Sequence, residues 1–139
     1  MAQKVGEVMT PVPVAVPPRC SLAEAAGQMR AHGIGDVLVV EEGRLRGLVT
    51  DRDIVVRAVA DGRDVNTTTV GDVCSAELVT VSTADDADTA VRLMSEHAIR
   101  RIPVVDGDRP VGIVSIGDLA VQRDEHSVLA DISAQPPNT

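Results

Sequence analysis

Two short stretches of the chain contain residue types that could bind a polar ligand. They are Gly47–Asp53 and Gly112–Asp118, and each has a glycine, two apolar residues, a hydroxyl residue and an aspartate three positions after the hydroxyl. An apolar run that ends at a hydroxyl residue is typical of a buried strand leading into a helix. The amides at a helix amino terminus favour an anion, and a carboxylate can accept two hydrogen bonds from a vicinal diol. The stretches therefore indicate two candidate ligand sites.

The same residues have a second interpretation. Thr50 with Asp53, and Ser115 with Asp118, have the spacing of a capping box, in which the two side chains satisfy helix amides without any ligand. Capping boxes are far commoner than nucleotide sites, so the local pattern alone favours capping. The elements around each stretch must decide between the two interpretations.

The chain is a tandem duplication with an offset of 65 positions. Aligned at that offset without a gap, Val5 meets Val70 and Asp53 meets Asp118. Other identical pairs include Gly6 with Gly71, Val8 with Val73, Ala25 with Ala90, Met29 with Met94, His32 with His97, Gly47 with Gly112 and Val49 with Val114. A copy of about 60 residues buries too little surface to be stable alone, so the two copies should pack together.

We divide the chain into repeat 1 (5–61), a linker (62–69), repeat 2 (70–123) and an extension (124–139) without a repeat partner. In the linker, the run Thr67–Thr69 fits an exposed loop. The extension is predicted to contain a short helix over 125–132 and a frayed tail.

Each repeat is predicted to contain a strand, a helix, two strands and a second helix. In repeat 1 the first strand lies near residues 14–16, and Ser21 with Glu24 forms a capping box that opens the first helix. Gly33 ends that helix. The inward-facing residues of the helix are predicted to be Leu22, Ala25, Ala26 and Met29.

Two apolar runs follow, residues 37–40 and 46–49, and the Glu42-Gly43 pair between them predicts a hairpin. Repeat 2 has the same pattern around Asp106-Gly107. A second helix is predicted from about Asp51 to Asp61. Its inward-facing residues are predicted to be Ile54, Val55, Ala58 and Val59.

Composition narrows the classes of function. The chain has 139 residues, no aromatic residue and a formal net charge of −8, which disfavours nucleic acid as a partner. The amino terminus lacks a signal-peptide pattern and no apolar run is long enough to span a membrane. We therefore expect a cytoplasmic protein without a membrane partner.

The reactive residue types do not assemble into a catalytic or metal-binding pattern. Cys20 and Cys74 lack close spacing and are expected to be free thiols in a reducing compartment. The histidines and cysteines lack zinc-site spacing, and no nucleophile motif is present. We therefore expect no metal site, no catalytic cofactor and no enzymatic activity, and we assign Met29 and Met94 to the core.

With the duplication and both junction stretches in family order, the chain resembles a tandem pair of cystathionine beta-synthase (CBS) domains, called a Bateman module. The resemblance covers residues 5–123 and includes Val8-Met9-Thr10 and the Ile-Arg-Arg-Ile-Pro-Val-Val-Asp run at Ile99–Asp106. The Thr50–Val55 stretch is similar to small stand-alone bacterial CBS-pair proteins of the hypoxic response protein 1 type. The resemblance implies an α/β (α+β) fold of two strand-helix-strand-strand-helix repeats packed with pseudo-twofold symmetry.

The resemblance also implies a function. It is that of a non-enzymatic regulatory module that binds an adenosine-containing nucleotide in clefts between the repeats. Expected ligands are AMP, ADP, ATP, NADH and S-adenosylmethionine. A homodimeric disc and an unknown regulated protein are the other implied partners.

The family's ligand-binding residues can be carried over by position. Asp53 and Asp118 would accept hydrogen bonds from ribose hydroxyls, while Thr50 and Ser115 would hydrogen-bond phosphate. The segment before the first strand of one repeat would face the junction of the other. On that basis the residues joining Ser115 and Asp118 would be Thr10, Pro13 and Val14, and those joining Thr50 and Asp53 would be Ser75, Leu78 and Val79.

A second set of residues distinguishes the two repeats. Arg100 and Arg101 match positions that reach phosphate, and Ile102 with Pro103 matches the wall beside adenine. Repeat 1 has Gly35-Asp36-Val37-Leu38 at these positions, so a carboxylate replaces an arginine and would repel phosphate. We expect the Asp118 cleft to be the better nucleotide site and the Asp53 cleft to be empty or devoted to an uncharged group.

Two other functions remain open at this point. One is a ligand-free structural or stress-response interaction protein that acts as a dimer. The other is an enzyme that uses the cleft for nucleotide hydrolysis.

Overall fold

The computed structural model describes residues 3–11, 14–74 and 78–123. These residues form two compact units. The first-junction unit comprises residues 14–74 and Leu78 and contains Thr50–Asp53, which we call the first junction. The second-junction unit comprises residues 3–11 and 79–123 and contains Ser115–Asp118, the second junction. The predicted helix over 125–132 lies outside the described residues.

In chain order the elements are α1 (Val5–Val8), β1 (Thr10–Pro11), β2 (Ala15–Val16), α2 (Leu22–His32), β3 (Asp36–Glu41), β4 (Arg44–Thr50), α3 (Asp51–Ile54), a π-helical segment (Val55–Val59), α4 (Val70–Val73), β5 (Val81–Ser82), α5 (Ala87–His97), β6 (Arg101–Asp106), β7 (Arg109–Ser115) and α6 (Ile116–Arg123).

Each unit is built on one small sheet. Its order is β2-β3-β4 in the first-junction unit and β1-β7-β6-β5 in the second-junction unit. The hairpins β3–β4 and β6–β7 are antiparallel, whereas β2 and β5 run parallel to β3 and β6. The predicted α+β fold and its element order are confirmed.

Buried apolar residues of the strands give each unit its own core. Val37 and Val39 of β3 are fully buried together with Val49 of β4. The matching residues of the other unit, Ile102 and Val104, are buried as well. The predicted core positions of the methionines are confirmed, because Met29 and Met94 belong to the two clusters.

The two opening segments are exchanged between the units. The opening segment of repeat 1 packs in the second-junction unit, and that of repeat 2 packs in the first-junction unit. Strand β1 pairs antiparallel with β7, with Thr10 opposite Ile113. Helix α1 buries Val5 in the core of the second-junction unit. Helix α4, which opens repeat 2, buries Val70 and Val73 in the core of the first-junction unit.

Equivalent hydrogen bonds hold the two opening segments. The Val5 amide donates to the Asp85 carbonyl at 2.8 Å, as the Val70 amide does to the Cys20 carbonyl at 2.8 Å. The segments are thus fixed by the loop that follows β5 or β2.

Most of the predictions for the first helix of repeat 1, α2, are confirmed. The Ser21 hydroxyl accepts a hydrogen bond from the Glu24 amide at 3.1 Å, and Gly33 ends the helix with φ of 63°. Leu22, Ala25 and Met29 are buried. The prediction for Ala26 was wrong, because this residue is exposed on the neighbouring face of α2.

The second helix of repeat 1 departs further from its prediction. Ile54 and Ala58 are buried, but Val55 is 57% exposed and Val59 is 56% exposed, so the prediction for these two was wrong. The helix changes to π geometry at Val55, and the Ala60 amide bonds to the Val55 carbonyl. A π turn has more residues than an α turn, so the 3.6-residue spacing no longer selects the inward face.

The linker is also less exposed than expected. Thr68 is buried, and its carbonyl accepts the Leu22 amide at 3.0 Å, while the Val65 carbonyl accepts the Ala23 amide at 2.9 Å. The linker therefore satisfies the first amides of α2, which lack partners within the helix. The prediction of an exposed Thr67–Thr69 loop was wrong at Thr68.

Within the described ranges, no helix is both long enough and apolar enough to cross a membrane.

Candidate functional site

Both junctions form a reciprocal capping box. At the second junction the Ser115 amide donates to Oδ2 of Asp118 at 2.9 Å, and the Asp118 amide donates to the Ser115 hydroxyl at 3.1 Å. At the first junction the Thr50 amide donates to Oδ2 of Asp53 at 2.9 Å, and the Asp53 amide donates to the Thr50 hydroxyl at 3.1 Å. The capping interpretation is therefore correct for both stretches.

Capping leaves ligand-binding capacity at each junction. Within residues 3–11, 14–74 and 78–123, no group donates to Oδ1 of Asp53 or Asp118. A hydroxyl that accepts a hydrogen bond keeps its own proton to donate. Each junction thus retains a carboxylate oxygen that can accept from a diol and a hydroxyl that can donate to an anion.

The second junction lies beside the residues assigned to phosphate. Arg101 is opposite Ser115 across the β6–β7 hairpin, and the Ile116 amide donates to the Arg100 carbonyl at 2.9 Å. The Arg100 side chain is exposed and that of Arg101 is partly buried. Thr10 is opposite Ile113, on the strand that ends at Ser115. All these residues belong to one unit.

The two residues assigned to the adenine wall are buried. Ile102 is part of the core, with 0% exposure, and Pro103 is fully buried beside it. A side chain without accessible surface contributes to a ligand site by supporting the residues above it.

The first junction has a different neighbourhood. Asp36 is opposite Thr50 across the β3–β4 hairpin, and its Oδ2 atom is buried. The Asp51 amide donates to the Gly35 carbonyl at 2.9 Å, in the place of the Ile116 to Arg100 bond of the other junction. Leu78 belongs to the same unit.

The assignments of four other predicted site residues are not confirmed. Val14 belongs to the first-junction unit and Val79 to the second-junction unit, in each case not the unit of the junction to which the residue was assigned. Pro13 and Ser75 lie outside the described residues. These four assignments stay predictions.

Sequence reasoning missed the role of Asp51. Its Oδ1 accepts the Arg52 amide at 2.8 Å, so a carboxylate already occupies the helix amino terminus at the first junction. The matching residue of the second junction is Ile116, and no described group accepts the Gly117 amide there. The signal was available, since the 65-position offset aligns Asp51 with Ile116.

The Asp51 carboxylate lies close to Gly35. A Cβ atom at position 35 would lie 2.9 Å from Oδ2 of Asp51, so a side chain there would require this carboxylate to shift. Repeat 2 has Arg100 at the matching position and the uncharged Ile116 after its junction hydroxyl. The two junctions therefore differ at both positions: Gly35 and Asp51 occur in repeat 1, and Arg100 and Ile116 occur in repeat 2.

Both cysteines of the first-junction unit are free thiols, as expected. Burial raises the pKa of the Cys20 thiol, whose sulfur lies 3.8 Å from a Glu24 carboxylate oxygen. Burial also raises the pKa of the Cys74 thiol; the Arg57 charge opposes this increase and the Asp53 charge adds to it. Among the residues that the structure covers, no cluster of three metal-ligating side chains is found.

Comparison with known proteins identifies the family. A model of the CBS domain matches the chain twice, over residues 5–59 and 70–123. The chain belongs to the CBS domain family and has the arrangement of a CBS pair, which is a regulatory module.

Two curated relatives match most of the chain. The CBS domain-containing protein YhcV of Bacillus subtilis is 43% identical over 135 residues, which is 94% of this chain and 96% of the relative. Hypoxic response protein 1 of Mycobacterium tuberculosis is 36% identical over 115 residues, which is 82% of this chain and 80% of the relative. The predicted resemblance is confirmed.

Solved structures agree with the fold. Hypoxic Response Protein I, solved with two coordinated zinc ions, matches with a TM-score of 0.78 and 34% identity over 86% of this chain and 98% of that one. The CBS domain pair of protein MJ0100 was solved with 5′-methylthioadenosine and S-adenosyl-L-methionine. It matches with a TM-score of 0.82 and 27% identity over 91% of this chain and 100% of that one.

Proposed function

We propose that this CBS pair is a non-enzymatic sensor whose second junction binds an adenosine nucleotide that carries phosphate. The observation that carries the proposal is the unused oxygen of Asp118 and the unused proton of Ser115, at a junction where Arg101 is opposite Ser115 and Arg100 immediately precedes the paired strand. A carboxylate is matched to the two ribose hydroxyls, and guanidinium groups bind phosphate with charge-assisted hydrogen bonds.

The first junction is proposed to be the weaker site and to take an adenosine ligand without phosphate. It contains two carboxylates, those of Asp51 and Asp53, and Asp36 is opposite Thr50 across the hairpin. A phosphate there would meet like charge and an amide that Asp51 already occupies. The bound 5′-methylthioadenosine and S-adenosyl-L-methionine of the MJ0100 pair support adenosine ligands of this kind in the family.

Ligand binding regulates through shape or assembly. A ligand shifts an equilibrium only when it binds two states with different affinity, so the sensor is proposed to alter its contacts with another protein on binding. A cytoplasmic location and a homodimer belong to the same proposal. An apolar groove of about 310 Å³ between α5 and α6 supports a homodimer, because Ile116 on its rim is 55% exposed.

The test separates ligand binding from capping. Asp118→Asn keeps an oxygen for the Ser115 amide but replaces the free carboxylate oxygen with an NH₂ group, which cannot accept from ribose. Calorimetry with AMP, ADP, ATP, NADH and S-adenosylmethionine should show binding to the wild type. The variant should lose about 10-fold to 100-fold in affinity, the range for hydrogen bonds to a charged group. Its melting temperature should stay close to that of the wild type.

Asp106→Ala is the matched control, because Asp106 is an exposed carboxylate of the same unit. Equal loss in both variants would contradict the proposal. If none of the ligands gives heat with the wild type, the structural dimer is the better explanation of the repeats. Release of phosphate from ATP would instead indicate an enzyme.

A further inference from the structure

The helix after the first junction has a feature that the second junction lacks. Residues Val55–Val59 are π-helical, whereas α6 continues from Ile116 to Arg123 with α geometry. Arg57 lies in the middle of the π segment. Its Nη1 atom donates a hydrogen bond of 2.8 Å to the Val73 carbonyl, sixteen positions later in the chain.

Val73 is the last residue of α4. The carbonyls at the end of a helix have no partner within it and carry partial negative charge, so a guanidinium is a favourable partner for them. Helix α4 has a single turn, and the Arg57 bond satisfies one of the carbonyls at its end. After Val73 the backbone becomes extended at Cys74.

The helix that carries Arg57 also carries Asp53, one turn earlier. The charges of both residues act on the Cys74 thiol, with opposite effects on its pKa. Asp53, Arg57 and the end of α4 therefore lie in one neighbourhood. Among the residues that the structure describes, the Arg57 bond to Val73 is the side-chain hydrogen bond that joins the junction helix to α4.

We infer that Arg57 is a positioning residue for the first junction: it fixes the end of α4 against the helix that carries Asp53. The inference rests on the proposed function, in which the first junction takes an adenosine ligand. Repeat 2 has Gln122 at the matching position, so this arginine contact is specific to the first junction.

The reactivity of the Cys74 thiol measures the effect of the Arg57 contact with Val73 without any ligand. The rate of its alkylation by iodoacetamide, followed by mass spectrometry against pH, gives the midpoint of thiol ionisation. Arg57→Gln should move the midpoint to higher pH, because it removes the cation that opposes Asp53 and burial. The plateau rate should rise several-fold as the end of α4 loosens. The ion pair between Arg63 and Asp72 of α4 is left in place by the variant.

Two controls separate charge from position. Arg57→Lys keeps the charge and should keep the midpoint close to that of the wild type. Arg52→Gln removes an exposed arginine from the same helix and should change neither midpoint nor plateau. An Arg57→Gln profile identical to that of Arg52→Gln would overturn the inference.

Ligand affinity completes the test. In the Asp118→Asn protein, where the second junction is weakened, adenosine should bind the first junction, and adding Arg57→Gln should weaken binding by about fivefold or more. Equal affinity with and without Arg57→Gln would overturn the positioning role while leaving the proposed function intact. Absence of adenosine binding in Asp118→Asn and in the wild type would refute the ligand role of this junction, and the inference with it.

Discussion

The two junctions have the same internal geometry and different surroundings. In each, a hydroxyl residue and an aspartate cap one another with hydrogen bonds of 2.9 and 3.1 Å. At the first, Asp51 occupies a helix amide and Asp36 is opposite Thr50, whereas at the second Arg101 is opposite Ser115. On the proposed function, the box would position the ligand groups and the neighbouring charges would select the ligand.

The largest expected effect comes from removing the cation of the second junction. Arg100→Gln should weaken AMP binding by about 10-fold to 100-fold, because a charge-assisted hydrogen bond to phosphate is lost. Adenosine binding should change little, since adenosine has no phosphate. Calorimetry with both ligands measures the difference, and Arg109→Gln, an exposed arginine of the same unit, is the control. Equal losses for AMP and adenosine would contradict the assignment.

The converse change should improve the first junction. In the Asp118→Asn protein, Asp51→Ile should raise AMP affinity by about threefold to tenfold, because it opens the Arg52 amide and removes a like charge. Asp51→Asn is the informative partner, since its oxygen still accepts the amide but carries no charge. Improvement in both variants would assign the effect to charge, and improvement in Asp51→Ile alone would assign it to the amide. Unchanged affinity in both would refute the role of Asp51.

Helix ends provide a smaller difference between the repeats. Gly33 ends α2 with φ of 63°, whereas Ala98 ends α5 with φ of 53°. Because a side chain in this region costs about 1–2 kcal/mol and glycine raises unfolded-state entropy, Ala98→Gly should stabilise by about 0.5–1 kcal/mol. Gly33→Ala should destabilise by a similar amount. Urea unfolding of both variants measures the change, and the same sign in both would contradict the explanation.

The smallest effects are those of pH on the opening segments. A hydrogen bond to Asp86 raises the pKa of Lys4, so its contribution to stability is present below the unfolded-state pKa and is lost as pH rises through the folded-state value. Hydrogen bonds from Thr69 lower the pKa of Asp72, so its contribution is present above the unfolded-state pKa and is lost as pH falls through the folded-state value.

Melting temperatures of the wild type, Lys4→Met and Asp72→Asn test this pair. The gap between wild type and Lys4→Met should close at strongly alkaline pH, and the gap for Asp72→Asn should close at strongly acid pH. Gaps that close in the reverse order would contradict the assignments.

The parts of this molecule that local rules determine were predictable from sequence. The capping boxes at Thr50 and Ser115 depend on residues three positions apart, and the hairpin turns depend on Gly43 and Gly107 with positive φ. The order of elements followed from these signals and the duplication. Resemblance to a family added the exchange of opening segments, which no local pattern encodes.

The rest depends on contacts that are distant in sequence. No residue in Val55–Val59 signals a π turn, so the exposure of Val55 and Val59 could not be deduced. The burial of Thr68 follows from its carbonyl bond to Leu22, forty-six positions earlier. Asp51 is a local exception, because its carboxylate accepts the amide of the next residue and its alignment with Ile116 was a signal that sequence reasoning missed.

The exchanged opening segments make the halves of the chain mutually dependent. A cut in the linker would give two fragments, each with a sheet but without the valines that complete that sheet's core. Each fragment would also expose the helix that belongs to the other. Such fragments should fold poorly when expressed separately and recover their structure when mixed, so the linker is a natural position for a split-protein reporter.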